Sequence, residues 1–386
     1  MAGEDTTFKP RSHCSKIHPN HQTLQPHNPT PHHPTMNYLL GGIQAGVRSD
    51  GRGLLDYRAC VVESDTLLHA NGSANVVLGG LGRGNTTRVL GVVKAEVGKT
   101  NAIHLSSSGG EHDHDDGTTH SNARGTVEGT VTLSAWHGTS REKEEEEARL
   151  SEALGRILSS STEFLKALVI PGSRGEFCWV LKVDVMVLEH GGSILDAATF
   201  VAHSALRNCV LPQVQAVEAE ANRLQLELVQ EHTVDAAALL KHLDHRVRAL
   251  MPLSVTLTVI RSVDGGEHII VDPSSEEEQC SSIAARITAS VDMDGNVCAM
   301  DVRCSSSNST SVVYTAVSPS TLKRCVRAAA RVGRELFRKL EHVLAEEEEG
   351  SSGSSNSGGG GGGGGSGGGV ENVVSETRST MMGFNM

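Results

Sequence analysis

The chain has 386 residues, 38% hydrophobic but only 3% aromatic, and a formal charge of −12 from 34 Lys+Arg against 46 Asp+Glu. At ~150 residues per domain this is two to three domains, with a core of Val, Leu, Ala and Ile instead of aromatic rings. No run nears the ~18–20 apolar residues of a membrane helix, no apolar stretch of a secretory signal opens the chain, and the eight cysteines are dispersed without a C-x-x-C pair. These features argue against a membrane-spanning helix and a disulfide-stapled secreted fold, and they set the expectation of reduced thiols in the nucleus or cytoplasm. Two glutamate runs, residues 144–147 and 346–349, supply eight of the negative charges, so the overall balance leaves an RNA partner open.

Residues 1–36 hold six of the eleven prolines and six of the nineteen histidines and are expected to be disordered. The first strand-like runs follow at residues 58–63, 73–78 and 88–97, the last two joined by a Gly-rich turn at 79–84. That turn lacks the Lys-Ser/Thr of a phosphate loop and lies between strands, so it reads as an expanded hairpin turn. Residues 99–125 form a polar insert whose His112-Asp113-His114-Asp115-Asp116 cluster sits in a Ser/Gly/Thr-rich context, which favours disorder with incidental metal affinity over a built metal site. A strand is expected at 126–136. A helix is expected at 142–158, with Leu150, Ala153, Leu154, Ile157 and Leu158 on one face.

The longest strand signal is 178–189, where Trp179, Leu181, Val183, Val185 and Val187 alternate with positions that include Lys182 and Asp184. Ser193 reads as the N-cap of a helix running to Asn208, with Ile194, Ala198, Val201, Ala205 and Leu206 inward. In the second half Leu253, Val255, Leu257 and Val259 alternate with Ser254, Thr256 and Thr258, the pattern of a half-buried strand. Asp264-Gly265 and Asp294-Gly295 mark turns. A closing helix over 321–344 buries Leu322, Val326, Ala329, Val332, Leu336, Phe337, Leu340 and Leu344. Arg327, Arg331, Arg334 and Arg338 form a basic stripe along it, joined by Lys323, Arg324 and Lys339, suited to solvent, to RNA phosphates or to an acidic partner. Strands then helices, twice over, indicate an α+β chain of two similar halves. The expected division is a Pro/His-rich segment 1–36, a first domain 37–215 with its insert at 99–125, a second domain 216–345, and an acidic then Gly/Ser-rich tail 346–386 without fixed structure.

Gly46-Val47-Arg48-Ser49-Asp50-Gly51-Arg52-Gly53 with Asp56-Tyr57-Arg58 resembles the opening signature of RNase PH-fold proteins. Gly72-Ser73-Ala74-Asn75-Val76-Val77-Leu78-Gly79 and Val92-Val93-Lys94-Ala95-Glu96-Val97-Gly98 look like that family's first hairpin. The stretch from Glu176 to Val185, with Gly191-Gly192-Ser193-Ile194-Leu195-Asp196-Ala197, is similar to the RNase PH-like subunits of the RNA exosome core. The resemblance runs from about Met36 to Leu344. It implies the duplicated RNase PH fold (ribosomal protein S5 domain 2-like), a place in a hexameric ring with other RNase PH-like exosome subunits beneath S1/KH-type cap subunits, and RNA as the threaded partner, in the nucleus, nucleolus and cytoplasm.

Active members of the family are phosphorolytic, which needs a cationic cradle for phosphate and carboxylates for a proton or a metal. In active relatives Thr-Arg follows the double glycine and that Arg belongs to the phosphate site; the matching positions here are Ser193 and Ile194, a degenerate phosphate site. Active relatives also carry an acidic residue in the second half, where residues 279–291 of this chain have no carboxylate short of Asp292. The resemblance therefore implies a non-catalytic subunit with no cofactor. The alternatives are an active phosphate-dependent 3′→5′ exoribonuclease and a free-standing RNA-binding module. The candidate RNA contacts are Arg48 and Arg52, near Arg58 in the opening motif, and Arg83 and Arg88 beside the first hairpin's turn; local salt bridges are the competing reading of all of them.

Overall fold

The computed structural model describes residues 34–80, 85–100, 123–136, 138–219, 223–228, 240–242, 251–262, 264–280, 282–304, 317–352 and 380–382. Two β-sheets with a helix between them organise these residues. In the first sheet, strands β1 (Cys60–Ser64), β2 (Gly72–Leu78) and β3 (Thr87–Lys99) form an antiparallel meander. Strand β4 (Thr126–Leu133) runs parallel to β5 (Phe177–Glu189). A parallel pair needs a crossover connection, and helices α2 (Ser140–Leu158) and α3 (Thr162–Ala167) provide it. With β14 (Thr380–Met382) at its edge, the strand order is β14-β1-β2-β3-β5-β4.

Local signals decide these elements. Helix α2 opens with a capping box between Thr139 and Glu142, and the face it buries is Leu150, Ala153, Leu154, Ile157 and Leu158, as the 3.6-residue spacing anticipates. On β5 the side chains of Leu181, Val183, Val185 and Val187 are buried, whereas Trp179 is only partly so and packs at the core's margin. The second sheet is built from β10 (Leu253–Arg261), β11 (Glu267–Val271), β12 (Ile283–Val291) and β13 (Val297–Cys304). It is antiparallel throughout, in the order β11-β10-β12-β13. Gly265 and Gly295 take positive φ in the two Asp-Gly turns.

Helix α4 (Ile194–Arg207) lies between the sheets, against β2 and β3 on one side and β10 on the other, and all fourteen of its residues are buried. It approaches β3 closely at Gly91, where a Cβ would lie 2.9 Å from a Val201 methyl. The long helix α6 (Pro319–Ser352) covers β10 and β12 from the other side. Strand β10 is therefore buried on both faces, contrary to the half-buried pattern its alternation predicts. Ser254, Thr256 and Thr258 point away from water, and the first two meet hydrogen-bond partners on α4 instead.

Several expected boundaries shift. Helix α1 (Pro34–Gln44) begins at a proline, which suits a first helical turn, and it starts inside the segment expected to be disordered. Its Ile43 packs with Ile260 and Ile270 in a small second cluster. The domain boundary at 215/216 falls inside β7 (Val214–Ala219), which pairs with β8 (Arg223–Leu228) in a separate hairpin; β6 (Val210–Pro212) pairs with β9 (Leu240–His242). The tail reads from its composition as lacking structure, yet α6 continues through the glutamate run to Ser352, and β14 pairs antiparallel with β1, Val61 opposite Met381. The turn residues 81–84 and the cluster at 112–116 lie outside the described residues.

Candidate phosphate and RNA site

The arginines of the opening motif turn inward. Asp272, at the end of β11 and held at φ +48°, is fully buried. Arg58 donates to its two carboxylate oxygens at 2.6 and 2.9 Å, and Arg52 adds a third contact at 2.9 Å. Arg58 also donates to the carbonyls of Asn85, Gly191 and Gly192. Arg48 makes a bidentate pair with Glu277 at 2.9 and 2.5 Å and caps the carbonyls of Val271 and Asp272. Burial alone would raise the Asp272 carboxyl's pKa, but Arg58, Arg52 and Arg48 hold it well below the usual carboxylate range. The side chains of Arg48, Arg52 and Arg58 are only 0%, 12% and 4% exposed, so none of them reaches outward for RNA. Their ion pairs are buried and long-range, not local, with partners 214–229 residues away. Arg88 is one-third exposed and lies 3.7 Å from Glu189, and Arg83 lies outside the described residues.

The same cluster shapes the corner before α4. Gly192 has φ +104°, and a Cβ there would fall 2.3 Å from the Pro273 carbonyl. Ser193 occupies the N-cap position but in the left-handed region, and it makes no side-chain cap. Its hydroxyl donates to the Pro273 carbonyl at 3.1 Å, and its N–H donates to Glu278 Oε1 at 3.1 Å. The amide that a helix terminus would offer to an anion is thus taken by a carboxylate of this chain. Burial raises the Glu278 pKa, but a hydrogen bond from His190, the Arg286 charge and the Ser193 N–H outweigh it and lower it below the ordinary value. Ile194 turns into the core.

Around this corner a cavity of about 60 Å³ is lined by Arg149, Arg286, Arg303, Glu146, Glu278 and Asp301, among others. That is room for a few waters. The carboxylates are missing only in one dimension: α5 (Ser275–Glu278) brings Glu278 to the corner, and β13 brings Asp301 from beyond the stretch 279–291. The signal that could have found Glu278 is the capping-box pattern from Ser274 to Glu277, which sets the short helix in place.

In the first turn of α4, Asp196 is fully buried and accepts from Tyr57 Oη at 2.5 Å, from the Thr256 N–H at 2.9 Å, and from the Ser254 and Thr256 hydroxyls. Burial nevertheless pushes its pKa up to about 7. This network joins the opening motif, α4 and β10. Among the described residues no group of His, Cys, Asp and Glu is arranged to hold a metal ion. No described helix is long and apolar enough to cross a membrane.

The family model for the 3′ exoribonuclease family, domain 1 (RNase PH), matches residues 56–212, which span strands β1 to β5 of the first sheet and α4. The chain is 32% identical over 263 residues to the Exosome complex component Rrp42 of Methanopyrus kandleri, covering 68% of this chain and 82% of that protein. It is 25% identical over 356 residues to the putative exosome complex exonuclease RRP42 of Dictyostelium discoideum, covering 80% and 96%. Among solved structures, a chain of an archaeal exosome core superposes with a TM-score of 0.50 at 22% identity, over 79% of this chain and 96% of that one. A chain of the Archaeoglobus fulgidus exosome with RNA bound to the active site gives 0.50 at 23%, with the same coverage. The two-sheet architecture and the central buried helix are therefore those of the RNase PH fold, and the chain belongs to the RNase PH family, among the relatives of the exosome component Rrp42.

Proposed function

We propose that this chain is a non-catalytic ring subunit of an RNA exosome. It supports 3′→5′ RNA processing and degradation, including rRNA 3′-end maturation and RNA surveillance in the nucleus and cytoplasm, by scaffolding a hexameric ring with other RNase PH-like subunits and threading RNA. The relatives' identity as exosome components supports ring membership. So does β13, an edge strand whose exposed side includes Met300 and Val302, because an uncovered apolar edge is a surface that assembly normally covers.

The observation that carries the non-catalytic reading is the occupied corner before α4. Phosphorolysis requires inorganic phosphate to sit where its oxygen can attack the terminal phosphodiester, held by cationic groups and amide donors. Here Glu278 already accepts from the Ser193 N–H, and Ile194 supplies no charge. A second anion would meet a carboxylate at contact distance in a space of about 60 Å³.

The test is a turnover assay on purified protein with RNA, phosphate and magnesium. No release of nucleoside diphosphates is expected, and Ile194→Arg should not create any, because Glu278 still fills the amide site. Phosphate-dependent release that disappears in variants of the α4 corner would instead support an active phosphorolytic exoribonuclease.

A further inference from the structure

The basic stripe of α6 does not face open solvent alone. Arg324, Arg327, Arg331, Arg334 and Arg338 form one wall of a groove of about 1320 Å³ whose other wall is residues 53–56 and 267–269. Small-molecule pockets hold ~300–1,000 Å³. From Arg324 to Arg338 the wall extends ~21 Å at 1.5 Å per residue, the length of a peptide segment. Three of the five arginines are engaged: Arg334 donates to the Asp294 carbonyl, Arg338 donates to Glu335, and the Arg324 charge acts on Glu267. Arg327 and Arg331 are exposed and make no ion pair with any described residue. Between the charged groups the lining is apolar, with Leu54, Leu55, Ile269 and Ala328.

Two features separate the possible occupants. Single-stranded RNA is held by a cationic track together with aromatic platforms for its successive bases, and among the described residues no Phe, Tyr or Trp lines this groove, whose one ring is the imidazole of His268. The walls also carry Asp56, Glu267 and Glu335. They interrupt the row of arginines, and Glu267 and Glu335 are paired with Arg261 and Arg338, so the groove offers separate cationic points at Arg327 and Arg331, which suit the spaced carboxylates of a peptide better than a continuous polyanion. An amphipathic helix laid into a groove puts its apolar residues on the floor and its charges on the rim.

We propose that this groove is a docking site for an acidic amphipathic peptide segment of a partner protein, with apolar anchors against Leu54, Leu55 and Ala328 and carboxylates paired with Arg327 and Arg331. The site is separate from the α4 corner and does not depend on whether the chain is catalytic.

Fluorescence anisotropy tests it, using the full chain alone and in complex with a co-expressed RNase PH-like subunit. The probe is a labelled fifteen-residue peptide with leucine and glutamate at helical spacing; its glutamine counterpart and a fifteen-nucleotide oligouridylate serve as comparisons. The acidic peptide is expected to bind both preparations, more weakly as salt rises. Arg327→Glu with Arg331→Glu should weaken it about tenfold or more. The independent variant Ala330→Glu, which places a carboxylate in the groove, should do the same, with all variants retaining the parent's melting temperature. The proposal is overturned if the peptide does not bind, if both variants bind it unchanged, or if oligouridylate binds more tightly through the same arginines. It is equally overturned if the assembled complex excludes the peptide while the lone chain binds it, because a ring neighbour then covers the groove.

Discussion

Asp272 shows how much of this protein's chemistry is internal. Its carboxylate has Arg58 and Arg52 as direct partners, and Arg58 in turn holds the Gly191 and Gly192 carbonyls. Removing one partner of a buried ion pair leaves an uncompensated charge, which costs ~3–5 kcal/mol. Asp272→Asn is therefore expected to lower the free energy of urea unfolding by about that amount, well beyond the effect of Arg88→Ala, whose exposed pair with Glu189 is worth under ~1 kcal/mol. Glu341 offers a pH-resolved case. It accepts from His203 at 2.7 Å and from Arg207, linking α6 to α4. Burial opposes its charge, but these partners bring its pKa down to about 2 from 4.5. A lowered carboxylate pKa stabilises the fold above the unfolded value and is lost as the pH falls through the folded one. Glu341→Gln should thus destabilise by about 1–2 kcal/mol at pH 7 after solvent screening, and the gap to the parent in thermal melts should narrow from pH 4.5 towards pH 2.

Among the elements, α4 controls the structure because both sheets close on it. Gly91 is the point of nearest approach: a Cβ there would lie 2.9 and 3.1 Å from the Val201 methyls and 3.3 Å from the Val201 carbonyl. Gly91→Ala is expected to push α4 off β3 and cost ~1–3 kcal/mol, as overpacking does; denaturant melts would read this, and a neutral result would mean α4 slides freely. The corner before α4 is shaped by the same kind of close contact, since the Gly192 backbone packs against Pro273 and Ser274. That contact brings Glu278 to the Ser193 N–H. The local pattern of α4, a serine before an apolar face, reads correctly as a helix start. It misreads the cap, because the left-handed backbone at Ser193 turns the hydroxyl toward Pro273.

For the molecule as a whole, the open edge of β13 and the first sheet's outer strand β4 are surfaces that self-associate when left bare. Low solubility is expected for the chain expressed alone, and a stable stoichiometric complex with an active-type RNase PH-like partner, measured by size-exclusion chromatography with light scattering. A well-behaved monomer that ignores every such partner would count against ring membership. A chain shortened to begin at Met36 should match the full chain within about 1 kcal/mol in melts, because Leu39 and Ile43, which α1 buries, both follow that point.

Residue order alone was enough wherever structure depends on near neighbours along the chain. The buried face of α2, the alternation of β5 and the Asp-Gly turns rest on periods of 3.6 and 2 and on glycine at positive φ, and each is found where its pattern stands. The family signature was legible for the same reason, as short runs in order. The fate of the charges, by contrast, was settled by the folded arrangement. Arg48, Arg52 and Arg58 look like an RNA-facing basic cluster until the fold brings Asp272 and Glu277 to them across more than two hundred residues, and the degenerate phosphate site at Ser193 and Ile194 shows its occupant only when Glu278 arrives from eighty-five residues away. Burial of both faces of β10 was invisible for a related reason: an alternating strand encodes which face is polar, but whether that face meets water or the buried carboxylate of Asp196 depends on what is packed over it.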